Sequence, residues 1–433
     1  APHLVSDIPF VVPNYDWWEA PFYGIGLRLY DVLAGRHGFG ASRHLSREET
    51  LAELPTLETE GLRGGILYYD GQFDDARLAI CLARTAADLG ATLVNYAPVR
   101  AILRSEGLAR GVRIADLEGG DEIDVEAKVV VNATGIWSDS VRQLDDPDAS
   151  PMMRPSQGVH VVLPRRFLPG DGAIMVPHTD DGRVLFAIPW HDRVVVGTTD
   201  TPVNGPSLEP RAQDEEIEFL LSHAARYLTE DPGPDDVSSV FAGIRPLVGD
   251  PENADSAAIS RDHTLHISDS CLVTIAGGKW TTVRKMAQDT VDQAALLGQL
   301  EERPCVTHEL NLHGYHSDAQ RYGELAPYGA DAVELRDLSL ALPAGAERLH
   351  EALPYIEAEV IWAARMEMAR TVEDVLARRT RALLLDAAAS LEAAPRVASL
   401  LMEELGRDPE WAVQQVAAYT ELAQGYRISS SSR

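Results

Sequence analysis

Two widely separated segments each join an apolar β run to a glycine and then to a helix. The first is Lys128-Val-Val-Val-Asn-Ala-Thr-Gly135, which leads into a helical pattern beginning at Ser138. The second passes from Leu272-Val-Thr-Ile-Ala276 through Gly277-Gly278 into a helix that extends to about Leu297. A strand, a glycine turn and a helix start bring backbone N–H groups to a phosphate or a cofactor edge. The pattern indicates an α/β domain that the chain leaves and later re-enters.

The stretch between these two units has a different pattern, in which short β runs are separated by turn residues. The runs and one turn are Val159–Leu163, Ile174–Val176, Asp180–Gly182, Val184–Ile188 and Val194–Val196. Short strands joined by close turns are typical of antiparallel sheets. We therefore predict a separate antiparallel domain here.

Local patterns predict further elements on both sides. A capping box at Ser46 to Glu49 starts a short helix, and Asp75–Leu89 has helical apolar spacing. A strand at Ala91–Tyr96 and a hairpin of Val99–Leu103 with Ala109–Ile114 should follow. Beyond Pro304 the chain is predicted to be helical almost to Tyr426, with a capping box at Thr371 and Asp374, and residues 429–432 should be disordered.

Composition limits the class of protein. A chain of 433 residues is too long for one core and suggests roughly two to four domains. No apolar run approaches the roughly 20 residues of a membrane-spanning helix. The net charge of −29 opposes nucleic-acid binding, which requires basic patches. Three distant cysteines provide neither a disulfide framework nor a zinc site, and the first residues show no secretory signal, so we expect a cytoplasmic location.

A series of motifs points to one enzyme family. They are Tyr69–Arg77, Val131–Ser138, Gly158–His160, Gly197–Pro202, Gly243–Leu247, Ile259–Asp262, Gly277–Lys285 and Thr371–Arg381. In sequence and in order, these segments closely resemble the FAD-dependent glycerol-3-phosphate dehydrogenase family. The resemblance implies that FAD oxidises sn-glycerol 3-phosphate to dihydroxyacetone phosphate and that the electrons pass to a quinone, with peripheral contact to the inner face of the cell membrane.

The family's first strand, G-x-G-x-x-G turn and helix are not found in this sequence. We therefore expect an α/β fold with an incomplete FAD/NAD(P)-binding Rossmann-like domain, an antiparallel-sheet substrate domain and an all-α C-terminal domain. The expected boundaries are 1–74 for the N-terminal part of the substrate domain, 75–148 and 249–310 for the FAD-binding domain, 149–248 for the antiparallel domain and 311–433 for the helical domain. Two alternatives stay open: an oxidase of the same family that uses oxygen, and a non-catalytic fragment without flavin. The oligomeric state is open as well.

Arg245 and Arg261 resemble the arginines that hold the substrate phosphate in this family. The planar guanidinium group can bind two phosphate oxygens at once. The alternative is that each forms an ordinary ion pair, Arg245 with Asp250 and Arg261 with Asp262. The motifs around them favour the phosphate.

His160 resembles the family's active-site histidine, and it is our candidate base for the C2 hydroxyl proton. A lone histidine at a strand start is otherwise more often a structural hydrogen-bonding group. Lys279 would stabilise negative charge on the flavin, although the glycines before it could simply cap a helix. Lysine occurs elsewhere only at Lys128 and Lys285, so a lysine within this motif is not expected from composition alone.

Other positions are implied as cofactor contacts or weighed against that role. The cofactor candidates are Val99, Ala133, Thr134, Gly135, Trp137, Gly277, Gly278, Lys279, Thr281 and Thr282. Gly197–Asp200 is a further flavin-side candidate that could be only a β turn. Arg378–Arg381 is predicted to be a structural charge network in which Arg381 reaches Glu367 or Asp386. A cluster of N-terminal aromatic residues could face a membrane but more often indicates domain packing; it comprises Phe10, Tyr15, Trp17, Trp18, Phe22 and Tyr23.

Overall fold

The computed structural model describes residues 1–16, 38, 40–177, 179, 182–249 and 262–428. Several sequence predictions concern positions outside these ranges. They are Arg261, Asp250, the turn residues Asp180 and Asp181, the aromatic residues Trp17, Trp18, Phe22 and Tyr23, and the C-terminal residues 429–432.

The described strands are, in chain order, β1 (Val5–Asn14), β2 (Arg43–Ser46), β3 (Gly64–Phe73), β4 (Val99–Ser105), β5 (Leu108–Ala115), β6 (Glu122–Glu126), β7 (Val131–Asn132), β8 (Met153–Pro164), β9 (Ala173–Val176), β10 (Leu185–Trp190), β11 (Arg193–Gly197), β12 (Thr201–Pro202), β13 (Ser239–Val248), β14 (His263–Ile267) and β15 (Val273–Gly277). The described α-helices are α1 (Arg47–Glu53), α2 (Asp75–Asp88), α3 (Ser138–Asp145), α4 (Asp214–Ala225), α5 (Val283–Leu297), α6 (Ala332–Ala341), α7 (Glu357–Met366), α8 (Ala382–Leu385), α9 (Ala387–Leu405) and α10 (Pro409–Gln424).

A large sheet contains β8–β13 together with β1–β3. The long strand β8 is its centre: β13 pairs with one edge, and β11 and β12 share the other edge. Every pairing is antiparallel except that of β1 with β9, so the antiparallel sheet predicted from the short β runs is confirmed with one parallel contact. The apolar face of the sheet packs on α1 and α4, and its central valines, such as Val159 and Val161, are fully buried.

Two smaller sheets form a second unit. In the first, β15 pairs antiparallel with β14 and parallel with β7. In the second, the predicted hairpin of β4 and β5 is extended by β6. The two sheets pack through a small apolar cluster that includes Ala109, Val130 and Leu272. This unit is the mixed α/β part that the fold prediction required.

One predicted strand is wrong. Ala91–Tyr96 forms no strand, and Val94 is 66% exposed. The segment has an apolar, β-branched pattern but pairs with no strand in the described part of the chain, and a strand is stable only when its backbone groups are paired. The β run before Gly135 is likewise shorter than predicted, because only Val131 and Asn132 are paired.

The C-terminal region is largely helical, as predicted, although residues 301–318 are irregular. The helices α7 to α10 and a π-helix at Asp374–Arg379 surround an alanine- and leucine-rich core. The capping box is confirmed: the Asp374 N–H donates to the Thr371 hydroxyl (3.0 Å) and the Thr371 N–H to the Asp374 carboxylate (3.2 Å). Within the described ranges, no helix is long and apolar enough to cross a membrane. The domain boundaries themselves stay a prediction.

Candidate active site

A cavity of about 850 Å³ lies on the face of the large sheet where β8 and β13 meet. Its lining includes His160 and Arg245, together with Trp280 from the turn after β15. Arg381 from the C-terminal region and Asp74 at the start of α2 complete one wall. A second cavity of about 730 Å³, between the end of α3 and β14, is lined by none of the predicted site residues that the structure describes.

His160 is placed by its neighbours on both sides of β8. It lies in the middle of the strand rather than at its start, opposite Gly197 of β11 and Phe241 of β13. The imidazole stacks on the Phe241 ring, with centroids 5.0 Å apart and planes 12° apart. A Cβ atom on Gly197 would lie 2.1 Å from the imidazole Cδ2, so only glycine leaves room for the ring. Burial, and second the positive charge of Arg245, lower the pKa of His160 to about 4.

The guanidinium group of Arg245 lies over Gly158, where an added Cβ would approach its Nη2 to 2.4 Å. Nη1 donates to Asp200 Oδ1 (3.2 Å), and Nη2 donates to Thr198 Oγ1 (3.1 Å) and the Thr199 carbonyl (3.0 Å). The segment Gly197–Asp200 therefore holds the arginine, which is a more specific role than a β turn. Arg245 both forms an ion pair and lines the cavity.

The turn from Gly277 to Thr282 depends on its two glycines. Both have positive φ, +73° and +76°, a region that other residues rarely adopt. A side chain on Gly278 would also meet Met286 Sδ at 2.5 Å. The Lys279 N–H donates to Thr282 Oγ1 (3.3 Å), so the turn also caps a helix. Lys279, Thr281 and Thr282 are exposed, and it is Trp280 that lines the cavity.

The turn after β7 is held by Asn132, which the sequence analysis did not single out. Its buried amide donates to the Ser138 carbonyl (3.0 Å), and its Oδ1 accepts from the Thr134 hydroxyl (2.7 Å). Gly135 has φ +60°, and an added Cβ would meet no atom within 4 Å, so open space lies beside it. Because β7 and β15 are parallel neighbours, Ala133–Trp137 and Gly277–Thr282 lie at the same edge of the sheet.

Among the predicted site residues that the structure describes, Val99 lies apart from this arrangement, in another sheet. Val99 is the first residue of β4, pairs with Ile114 in the separate small sheet and is half-buried there. Arg261 lies outside the described residues, so its role stays a prediction.

The predicted partners of Arg381 are wrong. Its Nε and Nη2 donate to the carboxylate of Asp74 at 2.9–3.1 Å, and Nη2 also donates to Asp75. Helical spacing could suggest only nearby partners, whereas Asp74 is 307 residues away in sequence. The other part of that network is confirmed, because Arg378 and Asp374 form an i,i+4 ion pair at 3.1 Å.

The two aromatic residues of the N-terminal cluster that the structure describes serve in packing. Phe10 is 7% exposed and stacks on Tyr68, with ring centroids 5.3 Å apart. The Tyr15 hydroxyl donates to the Glu58 carbonyl (2.9 Å), and its ring packs against the core of the large sheet.

The local geometry fits the flavin end of an FAD molecule. Two glycine turns lie at one sheet edge, one of them with open space beside Gly135 and the other with the exposed Trp280 directed into the cavity. Such an edge can bring backbone N–H groups against a flat, partly anionic ring. The cavity beyond, where the Arg245 guanidinium group and the His160 imidazole meet, can accept a small anionic substrate.

Sequence comparisons identify the family. The profile described as "FAD dependent oxidoreductase" matches residues 21–282, and that described as "C-terminal domain of alpha-glycerophosphate oxidase" matches residues 272–412. The mitochondrial glycerol-3-phosphate dehydrogenase of Homo sapiens is 41% identical over 94% of this chain and 60% of its own length. The chain thus spans about three fifths of such mammalian relatives. The corresponding Arabidopsis thaliana enzyme is 38% identical over the whole chain and 74% of its own length.

The fold agrees with this assignment. The crystal structure of the Bacillus halodurans glycerol-3-phosphate dehydrogenase complexed with FAD superposes with a TM-score of 0.81 at 27% identity, over 98% of this chain and 83% of that one. The L-alpha-glycerophosphate oxidase of Mycoplasma pneumoniae, at 17% identity and a TM-score of 0.53, shares the fold. The chain belongs to the FAD-dependent oxidoreductase family and, within it, to the glycerol-3-phosphate dehydrogenases.

Proposed function

We propose that this chain performs the FAD-dependent oxidation of sn-glycerol 3-phosphate to dihydroxyacetone phosphate, with the electrons passed to a quinone. The observation that carries the proposal is the convergence of His160 and Arg245 on one cavity, beside the turn that contains Trp280. The names of the relatives, and the FAD in the Bacillus halodurans structure, support the substrate and the cofactor.

Arg245 binds the phosphate in this proposal. Asp200, Thr198 and Thr199 fix its guanidinium group, so little side-chain freedom is lost when the substrate binds. A fixed arginine also orients C2 of the substrate, and orientation is a large part of catalysis. The sequence motifs assign a second phosphate contact to Arg261.

His160 accepts the proton of the C2 hydroxyl. With a pKa of about 4 it is neutral at physiological pH and can accept a proton, but the imidazolium it becomes is buried beside Arg245. A phosphate dianion on Arg245 would offset this repulsion and raise the basicity of His160 when the substrate is in place. Binding of the phosphate and activation of the base are thereby linked.

Bound FAD would supply the hydride acceptor. The residues that would hold its flavin end are those of the two turns, Ala133, Thr134, Gly135 and Trp137 after β7, and Gly277, Gly278, Lys279, Thr281 and Thr282 after β15. The exposed Lys279 ammonium group and the N–H groups beside it would stabilise negative charge at this edge.

The electron acceptor has a second candidate. Residues 272–412 match a domain described from an alpha-glycerophosphate oxidase, so we keep oxygen as the alternative to quinone. For the quinone route we propose a cytoplasmic protein in peripheral contact with a membrane. Rates with a soluble quinone analogue and with oxygen alone would separate the two acceptors.

The visible absorption spectrum tests the proposal directly. The purified chain with added FAD should retain a flavin band that bleaches when sn-glycerol 3-phosphate is added without oxygen. Arg245→Ala should bind FAD but not bleach at the same substrate concentration. Arg303→Ala, which removes one member of an exposed ion pair with Glu301, should behave as the unchanged chain does. A chain that retains no flavin would contradict the proposal and leave the non-catalytic alternative.

A further inference from the structure

Glu216 is a buried carboxylate just behind the candidate phosphate site. It lies in the first turn of α4 and is 6% exposed. Among the residues that the structure describes, no lysine, arginine or histidine forms an ion pair with it. Burial of a charge without a counter-ion is unfavourable unless hydrogen bonds compensate for the lost water. A carboxylate kept in such a place therefore has a specific structural use.

Four donors surround this carboxylate. Oε1 accepts from the hydroxyls of Thr199 (2.9 Å) and Thr201 (2.6 Å), and Oε2 accepts from Gln157 Nε2 (2.8 Å) and the Gln213 N–H (3.0 Å). The Gln213 contact is the ordinary capping box of α4. The other three contacts are not needed for a helix cap. Two of them join Glu216 to Thr199 and Thr201, the neighbours of Asp200, which forms an ion pair with Arg245.

The residues around Asp200 connect Glu216 to the guanidinium group of Arg245. Thr199 and Thr201 contact Glu216, while Asp200 between them contacts Arg245, so neighbouring side chains of this segment face opposite sides. The Asp200 carboxylate also accepts from the Ser156 hydroxyl. Thr199 forms two further hydrogen bonds. Its hydroxyl accepts from the Val159 N–H (3.0 Å), and its carbonyl accepts from Arg245 Nη2 (3.0 Å). Glu216 is thus two contacts away from the guanidinium group.

We propose that Glu216 is a positioning residue for Arg245 and, through it, determines the preference for a phosphorylated substrate. The inference rests on the proposed function, because it requires that Arg245 binds the phosphate. Glutamine at position 216 would keep the size of the side chain but only one of its two accepting oxygens, so two of the four donors would lose their present acceptor.

The test compares ligand affinity rather than activity alone. Binding of sn-glycerol 3-phosphate to the full chain is measured by calorimetry for Glu216→Gln and for Glu215→Gln. The control removes the same charge from the same helical turn at an exposed position. We expect Glu216→Gln to weaken binding roughly tenfold, the size of coupling found between contacting residues, and Glu215→Gln to leave it unchanged. In the active protein, KM for sn-glycerol 3-phosphate should rise in the same proportion while the rate with unphosphorylated glycerol stays the same.

A double-mutant cycle distinguishes positioning from general destabilisation. In the Arg245→Lys background, Glu216→Gln should cause little further loss, because the contacts that it organises are already gone. An equal loss in both backgrounds would overturn the inference. If Glu216→Gln does not fold, Thr201→Val removes one of the same hydrogen bonds with less disturbance and should weaken binding in the same direction.

The remaining outcomes separate the inference from the proposed function. If Arg245→Ala binds sn-glycerol 3-phosphate as well as the unchanged chain does, the phosphate role of Arg245 is wrong and the inference falls with it. If Arg245→Ala loses binding but Glu216→Gln and Thr201→Val do not, the proposed function stands and only the inference is overturned.

Discussion

At the residue scale, the two candidate catalytic side chains occupy space that only glycine leaves free. Gly158 lies under the Arg245 guanidinium group, and Gly197 lies against the His160 imidazole. Neither glycine has a positive φ, so glycine is needed at these positions because it has no side chain and not because of its backbone freedom. Two motifs that sequence analysis recognised by resemblance thus have a steric explanation.

Gly197→Ala should displace His160 and lower the rate of substrate oxidation. The new methyl group would have to push the ring away from its place beside Phe241, and a displacement of about 1 Å can reduce the rate roughly 100-fold. Binding of sn-glycerol 3-phosphate should persist, because the three atoms nearest to the new methyl group all belong to His160 and none to Arg245. Gly233→Ala is the control, since its nearest neighbour would be 3.7 Å away. Full activity of Gly197→Ala at unchanged thermal stability would contradict the assignment of His160.

The buried imidazole should also make stability depend on pH. The pKa of His160 is lowered to about 4, so the unfolded chain, with a histidine pKa of about 6.5, takes up the proton first as the pH falls. The stability that neutral His160 contributes is complete above pH 6.5 and is lost as the pH falls toward 4, by roughly 3 kcal/mol. Urea unfolding at pH 7 and pH 4.5 should show a smaller loss for His160→Gln than for the unchanged chain. Equal losses would mean that the folded chain already accepts this proton near pH 6.5.

At the scale of elements, sequence patterns correctly predicted the features that depend on interactions between residues close in sequence. The capping boxes at Ser46 and Thr371, the hairpin of β4 and β5 and the helix after Gly278 all follow from residues close in sequence. The strand predicted at Ala91–Tyr96 failed because pairing depends on a distant partner, which its own pattern cannot reveal. The same limit explains Arg381, whose partner Asp74 belongs to another element.

A buried ion pair joins two elements that are far apart in sequence. Both terminal nitrogens of Arg77 in α2 donate to the Glu367 carboxylate at 2.9 Å, and both residues are buried. Glu367→Gln would leave Arg77 as an uncompensated buried charge, so we expect a loss of about 3–5 kcal/mol in the free energy of unfolding. Glu301→Gln, which breaks the exposed pair with Arg303, should change it by less than about 1 kcal/mol. Urea denaturation of the two variants provides the comparison, and equal effects would contradict this account.

At the scale of the whole molecule, the cavity is assembled from distant parts of the chain. Asp74 comes from the start of α2, His160 and Arg245 from the large sheet, Trp280 from the turn after β15 and Arg381 from the C-terminal region. Sequence resemblance could name His160 and Arg245, but it could not show that Arg381 closes one wall or that Trp280, rather than Lys279, faces the cavity. Those facts depend on tertiary packing, which no single motif contains.

Glu359 should couple the stability of the whole molecule to pH. It lies in α7, where its carboxylate accepts from the Tyr328 hydroxyl (2.9 Å), and the Arg77 guanidinium group lies 4.3 Å from the centre of the Tyr328 ring. Burial is the largest effect on Glu359 and raises its pKa to about 7, despite hydrogen bonds that act in the opposite direction. A carboxyl group with a raised pKa contributes stability that is complete below its unfolded value of 4.5 and is lost as the pH rises through about 7.

Glu359→Gln imitates the protonated form and should remove this dependence. As the pH rises from 5 to 8, the free energy of unfolding of the variant should increase by roughly 2–3 kcal/mol relative to that of the unchanged chain. The reason is that Glu359 loses its proton over this range and becomes a buried charge, whereas the glutamine amide does not titrate. The comparison of the two chains at each pH cancels contributions from other groups, such as His160, that titrate in both. Urea midpoints at pH 5, 6.5 and 8 measure the difference, with Glu301→Gln as an exposed control that should show none. A difference that stays constant with pH would show that Glu359 is already ionised at pH 5, and that Arg77 and Tyr328 compensate for its burial.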